Sequence, residues 1–407
     1  MNSCLICGGK NVEEILDLGE TALANKFLAR EELSRQEPRF PLRLGFCNDC
    51  GHVQLADIVP PGTMFDDYLY ISSASDTLKE HLYDVSDIVV DRLSLGSGDF
   101  VVDVGCNDGT LLEGFKRHQV RGLGVDPARN LAARNENSDI ERHVALFDSK
   151  AACHILDKWG PASVITVTNT FPHIQDLSDF LEGVKTLLRD DGVLVIESHY
   201  LLDILAETAF DTIYHEHVSY WALGPMMKLF ERSGMQVLSA EPLSIHHGQL
   251  RVFVGREGKR SGNDSIAEVL EQERDAGLDK IKTFRAFRDR AMEIKQSLRT
   301  TLGQLREAGK QVVAYGAPAK GNTLLEFLEI GPDLIEYIVD RSPLKQGLYT
   351  PGTHIPVVPT ERLLEDQPDY VLLLAWNFVD EVLRQQQEYR NRGGKFILPV
   401  PAVRIIE

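Results

Sequence analysis

The chain has 407 residues, enough for two or three domains of ordinary size that each bury a core without disulfide bonds. It carries 43 Lys and Arg against 61 Asp and Glu, and this net charge of −18 disfavours nucleic acid and anionic membranes as partners. No apolar run approaches the roughly 18 residues of a membrane span, and the first residues lack the features of a secretion signal. We therefore expect a cytoplasmic, multidomain protein that binds neither nucleic acid nor membrane.

Four of the six cysteines form two C-x-x-C pairs in the N-terminal part of the chain, Cys4 with Cys7 and Cys47 with Cys50. Each pair can present two sulfurs from one tight turn, and four thiolates complete a tetrahedral zinc site with no position left for water. Four unrelated reduced thiols are the alternative, and the repeated spacing argues against it. The sequence predicts a small module with structural zinc over residues 1–70.

Residues 71–260 alternate short apolar runs with segments of helical pattern, which is typical of a doubly wound parallel sheet and predicts a central α/β domain. The apolar runs are FVVDVG (100–105), GLGVD (122–126), ASVITVTN (162–169), GVLVIES (192–198), QVLSAEPL (236–243) and QLRVFVG (249–255).

A glycine-rich turn follows the first of these strands, where ligands bind in doubly wound sheets. Its spacing from Asp103 through Gly105 to Gly109 is D-x-G-x-x-x-G, not the G-x-G-x-x-G of dinucleotide-binding proteins. The pattern resembles the first motif of class I S-adenosylmethionine methyltransferases. Gly105 and Gly109 would let the backbone approach the cofactor, with Asn107 and Asp108 between them.

Three later strand ends add candidate cofactor residues. The second strand ends in Asp126, about twenty residues on, where an acid commonly binds ribose hydroxyls. Topology places Phe147 and Asp148 near an adenine, and Asn169 at the end of the fourth run facing the methyl donor. The alternative, a glycine turn that only links strand to helix, is weakened by Asp126.

The central domain also holds an unusual density of titratable side chains, and we expect its chemistry there. A histidine that titrates near neutral pH, a tyrosine within its reach and a carboxylate that orients the ring suit removal of a proton next to a carbonyl. Loop histidines bonded to backbone carbonyls are the alternative. The triplet His215-Glu216-His217 does not have the H-E-x-x-H spacing of a metalloprotease zinc site, so we expect no catalytic zinc. The side chains are His173, Glu197, His199, Tyr214, His215, Glu216 and His217.

Residues 261–310 are highly charged and predict one long amphipathic helix that links the domains, with Gly309 as its stop. Its apolar positions recur at spacings of three, four and seven: Phe284, Phe287, Ala291, Ile294, Leu298 and Leu305.

Residues 311–407 return to strand and helix alternation and predict a second, smaller α/β domain. Gly316, Lys320 and Gly321 form a cationic glycine loop between its first strand and the next helix. Such a loop can cradle the pyrophosphate of a nucleotide diphosphate.

The order of these motifs resembles the S-adenosylmethionine-dependent nucleotide-sugar C-methyltransferases, which make branched deoxysugars. The resemblance covers nearly the whole chain and is most specific in AYGAPAKGNTLL (314–325) and YIVDRSPLKQGLYTPGTHIPVV (337–358). It implies a central Rossmann-like class I methyltransferase domain, a small N-terminal zinc-binding module and a C-terminal Rossmann-like domain that binds the nucleotide sugar.

The resemblance also assigns catalytic roles. His217 is the preferred base with Tyr214 as the runner-up, and Glu216 would orient the base or tune its pKa. His173 would stabilise the developing oxyanion, and Tyr70 would cap the active site from the N-terminal side.

The resemblance further implies a substrate. We expect transfer of a methyl group to C3 of a nucleoside-diphosphate 4-keto-6-deoxyhexose, with dTDP as the expected carrier, through a C3 proton abstraction and an enolate. Asn322, Lys345 and His354 join the candidates for nucleotide binding. An O- or N-methyltransferase and a non-catalytic nucleotide-sugar-binding protein are the alternatives. We expect a monomer or a homodimer, and the long helix is compatible with either.

Overall fold

The computed structural model describes residues 3–64, 71–134, 140–245 and 248–407, so the predicted active-site residue Tyr70 lies outside the described residues. Three sheets organise these residues, and the expected α/β architecture is confirmed. No helix in the described ranges is long and apolar enough to cross a membrane.

The N-terminal module is an antiparallel sheet whose long first hairpin ends at the second cysteine pair. Strand β1 has both buried and exposed positions, whereas the second half of β2 and all of β3 are buried, because the sheet packs into the rest of the protein on that side. The strands are β1 (Val12–Thr21), β2 (Phe40–Cys47) and β3 (Val53–Leu55).

The cysteine pairs meet at one end of this sheet. The Sγ atoms of Cys4, Cys7, Cys47 and Cys50 all lie within 4.8 Å of one another, and a tetrahedral zinc site with Zn–S bonds of about 2.3 Å places its sulfurs about 3.8 Å apart. The glycine after each pair has a φ of 71° or 82°, which a residue with a side chain rarely adopts. The cluster therefore fits the predicted structural zinc.

The central domain is a seven-stranded sheet in the described residues, with apolar clusters on both faces. Its elements are α1 (Asp76–Leu93), β4 (Phe100–Val104), α2 (Thr110–Arg117), β5 (Arg121–Val125), α3 (Arg129–Arg134), β6 (Glu141–His143), α4 (Ser149–Trp159), β7 (Ala162–Thr168), α5 (Leu177–Leu187), β8 (Leu188–His199), α6 (Leu201–Ala206), β9 (Ser219–Tyr220), α7 (Leu223–Arg232), β10 (Met235–Leu243) and β11 (Gln249–Arg256).

The strand order of this sheet is β10-β11-β8-β7-β4-β5-β6. The expectation of a parallel sheet is wrong for β11, which runs antiparallel to both of its neighbours. The reason is its connection: the short link from β10 to β11 makes a hairpin, whereas a parallel neighbour needs a crossover of a dozen or more residues. The edge strand β6 is too short and polar to stand out in the sequence.

Strand β9 belongs to the N-terminal sheet, although the chain around it belongs to the central domain. It pairs antiparallel with β3, with Val53 opposite Tyr220 and Gln54 opposite Ser219. The buried His52 lies beside this pairing, with its Nε2 3.1 Å from the Ser219 hydroxyl. The segment just before β9, which carries the predicted catalytic residues, is therefore held by the N-terminal sheet.

The predicted single long helix is wrong, because the chain forms α8 (Ser265–Ala276) and α9 (Ile281–Glu307). Gly277 ends α8 in the left-handed conformation, with a φ of 71°. Helix α8 packs on the central sheet through β10, so it belongs to the central domain and not to a linker. The predicted apolar positions of α9 are buried except Leu305, which is partly exposed.

The C-terminal domain is a six-stranded sheet in the described residues, with the order β14-β13-β12-β15-β16-β17. All neighbours pair in parallel except β16 and β17. The elements are β12 (Val312–Tyr315), α10 (Ala319–Phe327), β13 (Ile338–Val339), β14 (Val357–Val358), α11 (Arg362–Asp366), β15 (Tyr370–Leu373), α12 (Val379–Gln385), α13 (Gln387–Asn391), β16 (Lys395–Leu398) and β17 (Arg404–Ile406).

One hydrophobic core joins the N-terminal and C-terminal parts of the chain. Buried residues of β1, β2 and β3 belong to the same apolar cluster as the buried face of α9 and the strands of the C-terminal sheet. Phe46 and Phe284 meet in it with ring centroids 4.8 Å apart. The N-terminal module is thus packed into the protein through a shared core.

Replacing Cys50 with Ala removes one of the four thiolates, so we expect zinc to fall from about one atom per chain to a small fraction of that. Folding free energy that zinc supplies is then lost, and the thermal midpoint should fall by several degrees. Elemental analysis and a thermal melt measure both. Cys153→Ala removes an exposed cysteine of α4 and should change neither. Undiminished zinc in the Cys50 variant would contradict the four-thiolate site.

Candidate active site

A cavity of about 520 Å³ lies where the three parts of the chain meet. The ends of β4, β5, β7 and β8 form one wall, the segment before β9 forms another, and the start of α10 closes the C-terminal side. Asn25 of the N-terminal module also lines it. The cavity therefore brings together some of the predicted cofactor, catalytic and nucleotide-sugar residues from different domains.

The glycine turn after β4 forms the cofactor end of the cavity. Gly105 has a φ of 75° and packs so closely that an added Cβ would lie 2.0 Å from the Thr170 hydroxyl. Asp126 lines the cavity and accepts hydrogen bonds from the backbone amides of Asn107 (2.9 Å) and Ala128 (2.8 Å). Burial raises the pKa of this carboxyl. The turn thus holds an acceptor carboxylate at a fixed point of the wall.

Two carboxyls predicted for the cofactor have different surroundings. Asp103 is buried at the cavity wall and accepts a hydrogen bond from the Thr166 hydroxyl at 2.7 Å, and burial raises its pKa to about 7. Asp108 does not line the cavity, because its carboxylate accepts from the Ser73 amide (2.8 Å) and the Thr110 hydroxyl (2.7 Å). The structure therefore gives Asp108 a loop-stabilising position in place of the predicted cofactor contact.

Gly109 likewise lies outside the cavity. It is the N-terminal cap of α2 with a φ of 89°, and an added Cβ would lie 2.9 Å from Arg142 Nη2. Its role is to let the chain turn into the helix, so it acts on the cofactor loop only through the backbone.

The remaining predicted cofactor residues do line the cavity. Phe147 packs edge-to-face on Phe180, with centroids 5.6 Å apart, and Asp148 caps α4 by accepting from the Ala151 amide at 2.7 Å. Asn169 has a φ of 57°, and its Oδ1 is buried without a hydrogen-bond partner among the described residues. A buried acceptor beside a cavity suits a cationic ligand, so these residues fit S-adenosylmethionine.

Three histidine rings cluster at the centre of the cavity. The ring of His217 lies 4.9 Å from that of His173 and 5.2 Å from that of His199, measured between centroids. Burial is the main cause that lowers the pKa of His217 well below its usual value, and it lowers the pKa of His173 and His199 to about 4. All three imidazoles are therefore neutral near pH 7.

Two hydrogen bonds set the tautomer of His217. Its Nδ1 donates to the Thr212 carbonyl at 2.9 Å, so Nε2 carries no proton and accepts the Tyr214 hydroxyl at 2.8 Å. Tyr214 and His217 both line the cavity. This arrangement can take up a proton at Nε2 by way of the tyrosine oxygen.

The two residues between this pair face away from the cavity. His215 approaches the Phe40 carbonyl of the N-terminal module, with Nε2 at 3.3 Å. Glu216 is only 4% exposed and accepts a hydrogen bond from Asn25 Nδ2 at 2.7 Å. Glu216 therefore acts on the pair through the backbone, from behind the cavity wall.

Two lysines of the C-terminal domain reach the cavity. The ammonium of Lys320 lies 3.9 Å above the Trp376 ring, whose Nε1 donates to Asp211 at 2.6 Å. Burial lowers the pKa of Lys320 to about 8, while Asp211 opposes that shift. Lys345 donates to the Ala317 carbonyl at 2.8 Å, and burial lowers its pKa too.

Four residues predicted to bind the nucleotide do not line the cavity. Gly316 and Gly321 lack side chains for packing reasons, because added Cβ atoms would lie 2.7 Å from Ala375 Cβ and 2.8 Å from Leu374 Cβ. Asn322 donates to the Ala24 carbonyl at 2.7 Å, and His354 pairs with Glu37. These last two join the C-terminal domain to the N-terminal module instead.

Several cavity residues were not predicted as site residues from the sequence: Asn25, Thr212, Asn377 and Phe378. Asn377 and Phe378 follow β15, so their position after a strand was visible. His199, which ends β8, belongs to the titratable cluster that the sequence singled out and also lines the cavity. Asn25 and Thr212 have no such signal, because only the packing of separate parts of the chain brings them to the site.

Glu197, in contrast, is buried, hydrogen-bonded to His81 and paired with Arg251 through Nε at 2.9 Å. It fixes α1 and β11 to the centre of the sheet and lies outside the cavity lining. Glu197 was part of the titratable cluster in the sequence, but its contacts give it a structural role.

Comparisons with known proteins cover the whole chain. Residues 4–65 match the model of a putative zinc binding domain, residues 78–240 that of a methyltransferase domain and residues 244–401 that of a C-methyltransferase C-terminal domain. The C-methyltransferase NovU of Streptomyces niveus is 35% identical over 407 residues, which are 100% of this chain and 97% of that protein.

Two further proteins are similar to part of the chain. A ubiquinone biosynthesis O-methyltransferase of Rhodopseudomonas palustris is 28% identical over 105 residues, 26% of this chain and 41% of that protein. The solved structure of an S-adenosylmethionine-dependent methyltransferase from Archaeoglobus fulgidus is 13% identical with a TM-score of 0.37, covering 44% of this chain and 94% of that one. The full-length match and the three domain models together show that the chain belongs to the S-adenosylmethionine-dependent C-methyltransferases that carry an N-terminal zinc-binding domain.

Proposed function

We propose that this C-methyltransferase acts at C3 of a nucleoside-diphosphate 4-keto-6-deoxyhexose, with dTDP as the expected carrier, and makes a branched deoxysugar. The observation that carries the proposal is the 2.8 Å hydrogen bond between the Tyr214 hydroxyl and the neutral His217 Nε2 at the cavity wall. A ketone at C4 makes the C3 hydrogen acidic enough for such a pair to remove it.

Proton removal uses both members of the pair. As the C3–H bond breaks, its electron pair moves into the C3–C4 bond and charge develops on O4. The Tyr214 oxygen accepts the C3 proton while its own proton passes to His217 Nε2, and the Thr212 carbonyl holds the imidazolium through Nδ1. Direct removal by His217, which the sequence favoured, would require Tyr214 to move off Nε2.

The developing charge on O4 needs a donor in a cavity with little water. His173 lies in edge contact with His217 and lines the same cavity. Its neutral imidazole carries one N–H, and a donor placed at the oxyanion supplies the largest single electrostatic contribution in many enzymes. We assign it this role.

Residues at the end of the cavity formed by the glycine turn after β4 would hold the methyl donor. Asp126 would accept the ribose hydroxyls, Phe147 would pack on the adenine, and Asn169 Oδ1 would face the positive end of the donor. When bound there, S-adenosylmethionine would supply an electrophilic methyl group: the new bond would form to C3 of the enolate as the bond between the methyl group and sulfur breaks, and the sulfur would leave as a neutral thioether.

The diphosphate lies towards the C-terminal domain in this proposal. Lys320 and Lys345 are cationic groups at that side of the cavity, in a chain whose net charge is −18. Desolvated ammonium groups attract a diphosphate more strongly than exposed ones, because little water screens them. The two lysines, which the sequence also predicts as nucleotide-binding residues, therefore supply the positive charge for the diphosphate in this proposal.

Tyr214→Phe and His217→Asn should each slow the exchange of the substrate C3 hydrogen by about 100-fold or more, since a general base contributes about 10²–10⁴ to such a step. The exchange is followed by mass spectrometry in heavy water, with a panel of nucleoside-diphosphate 4-keto-6-deoxyhexoses and with or without the methyl donor.

His215→Asn is the matched control, because its ring faces the N-terminal module, and it should retain exchange and methylation. Unchanged affinity for S-adenosylmethionine confirms that each variant is folded. Methyl transfer to oxygen or nitrogen without C3 exchange in the wild-type enzyme would overturn the proposal in favour of an O- or N-methyltransferase.

Asp126→Asn should weaken binding of S-adenosylmethionine by about 10- to 100-fold, measured by calorimetry. Both carboxylate oxygens accept backbone amides, so the new NH₂ group faces a donor and a charged acceptor is lost. Asp157→Asn makes the same change at an exposed position of α4 and should leave the affinity unaltered. If Asp126→Asn and Asp157→Asn bind S-adenosylmethionine with equal affinity, Asp126 does not contact the cofactor.

The kcat/KM of the wild-type enzyme should fall as the pH rises through about 8, because the pKa of Lys320 is about 8 and its ammonium is charged only below that value. Lys320→Met should lower kcat/KM at pH 7 and abolish this alkaline fall. Lys158→Met removes a lysine that stacks on a surface tryptophan and should keep the wild-type profile. If kcat/KM of the Lys320→Met variant still falls as the pH rises through about 8, the fall is caused by another titrating group.

A further inference from the structure

A segment of the N-terminal module, residues 22–28, lies between the central and C-terminal domains. Backbone and side-chain hydrogen bonds tie it to α10 and to the loop before β14, so its path is set by the C-terminal domain as well as by its own sheet. The bonds run from the Ala22 amide to Glu326 (2.9 Å), from Asn322 Nδ2 to the Ala24 carbonyl (2.7 Å), and in both directions between the backbones of Leu28 and Tyr349 (3.0 and 2.9 Å).

Asn25 is the member of this segment that reaches the cavity. Its Nδ2 donates to Glu216 Oε1 at 2.7 Å, across 191 positions of sequence. Glu216 is 4% exposed and faces away from the cavity, whereas its neighbours Tyr214 and His217 face into it. The N-terminal module therefore contacts the segment that carries Tyr214 and His217 through Glu216, on the side away from the cavity.

The surroundings of Glu216 make that contact important. Loss of a hydrogen bond to a buried carboxyl group costs more than an ordinary hydrogen bond contributes, because little water reaches the group to replace the lost donor. Lys345, whose ammonium lies 5.3 Å from the Phe27 ring of the same segment, supplies opposite charge that acts on Glu216. A shift of Glu216 would move the backbone that joins it to His217.

We propose that Asn25 is a positioning residue of the active site, through which the N-terminal module holds Glu216 and thereby the Tyr214–His217 pair. The central domain supplies the glycine turn and the Tyr214–His217 pair of the cavity, and Asn25 is the residue of the 22–28 segment that lines it. The catalytic meaning of the pair rests on the function proposed above, while the contact itself can be tested without it.

The first test measures hydrogen–deuterium exchange of the backbone over residues 212–218 in the zinc-loaded, full-length enzyme. Asn25→Ala should raise exchange of this segment several-fold and slow methyl transfer about 10- to 100-fold in kcat, with unchanged affinity for S-adenosylmethionine. Lys26→Ala, at the exposed neighbouring position, should match the wild type in all three measurements. Wild-type exchange in Asn25→Ala would overturn the proposal.

A second variant separates a direct contact from general loosening of the module. In Asn25→Asp two carboxyls face each other, and they share a hydrogen bond only when one is protonated. Protection of residues 212–218, corrected for the intrinsic pH dependence of exchange, should therefore recover as the pH falls. Among the residues that the structure describes, the other charged or titratable groups here include Lys345 opposite Glu216, and Tyr214, His215 and His217 on its own segment.

Lys26→Asp adds the same charge at the exposed position and should show no recovery at low pH. Protection in Asn25→Asp that does not depend on pH would contradict a direct contact with Glu216. If the wild-type enzyme fails to exchange C3 hydrogens on any sugar while the protection pattern holds, the proposed substrate is wrong and the positioning role of Asn25 stands.

Discussion

The hydrogen bond from His217 Nδ1 to the Thr212 carbonyl is the constraint on which the active site depends. It leaves Nε2 as an acceptor, and the Tyr214 hydroxyl occupies that acceptor. Burial then keeps the imidazole neutral, because a charged ring would lose its hydration without gaining a counter-ion. In the proposed mechanism, an imidazole that is unprotonated at Nε2 and already hydrogen-bonded to a tyrosine needs little rearrangement before it takes a proton.

The His217 ring is buried because the cavity around it is lined by several parts of the chain, and no single domain lines it alone. The central sheet provides the strand ends, the C-terminal domain provides Lys320 and Lys345, and the N-terminal module provides Asn25. The pairing of β9 with β3 and the core shared through α9 hold these parts together. The four-cysteine cluster lies at the far end of the same N-terminal sheet, so zinc bound there would stabilise the sheet whose strand β3 pairs with β9.

Local charge differs from the net charge in this molecule. The net charge of the chain is −18, yet two desolvated lysines line the C-terminal side of the cavity. Asp211 and the Trp376 ring stabilise one of them, and a backbone carbonyl stabilises the other. An anionic substrate experiences these nearby groups more strongly than the distant surface charge, which salt screens within about 10 Å.

Much of the protein could be predicted from its residues alone. Spacing identified the four cysteines, and alternation identified most strands, because both depend on neighbours in sequence. The glycine turn and Asp126 were predictable for the same reason, since they sit at the ends of consecutive strands. Only the tertiary structure decided that β11 is antiparallel, that Gly277 divides the long helix, and that Gly316 and Gly321 serve packing. It also decided that Asn25 meets Glu216, because contacts between distant parts of a chain depend on how whole domains pack and leave no local pattern.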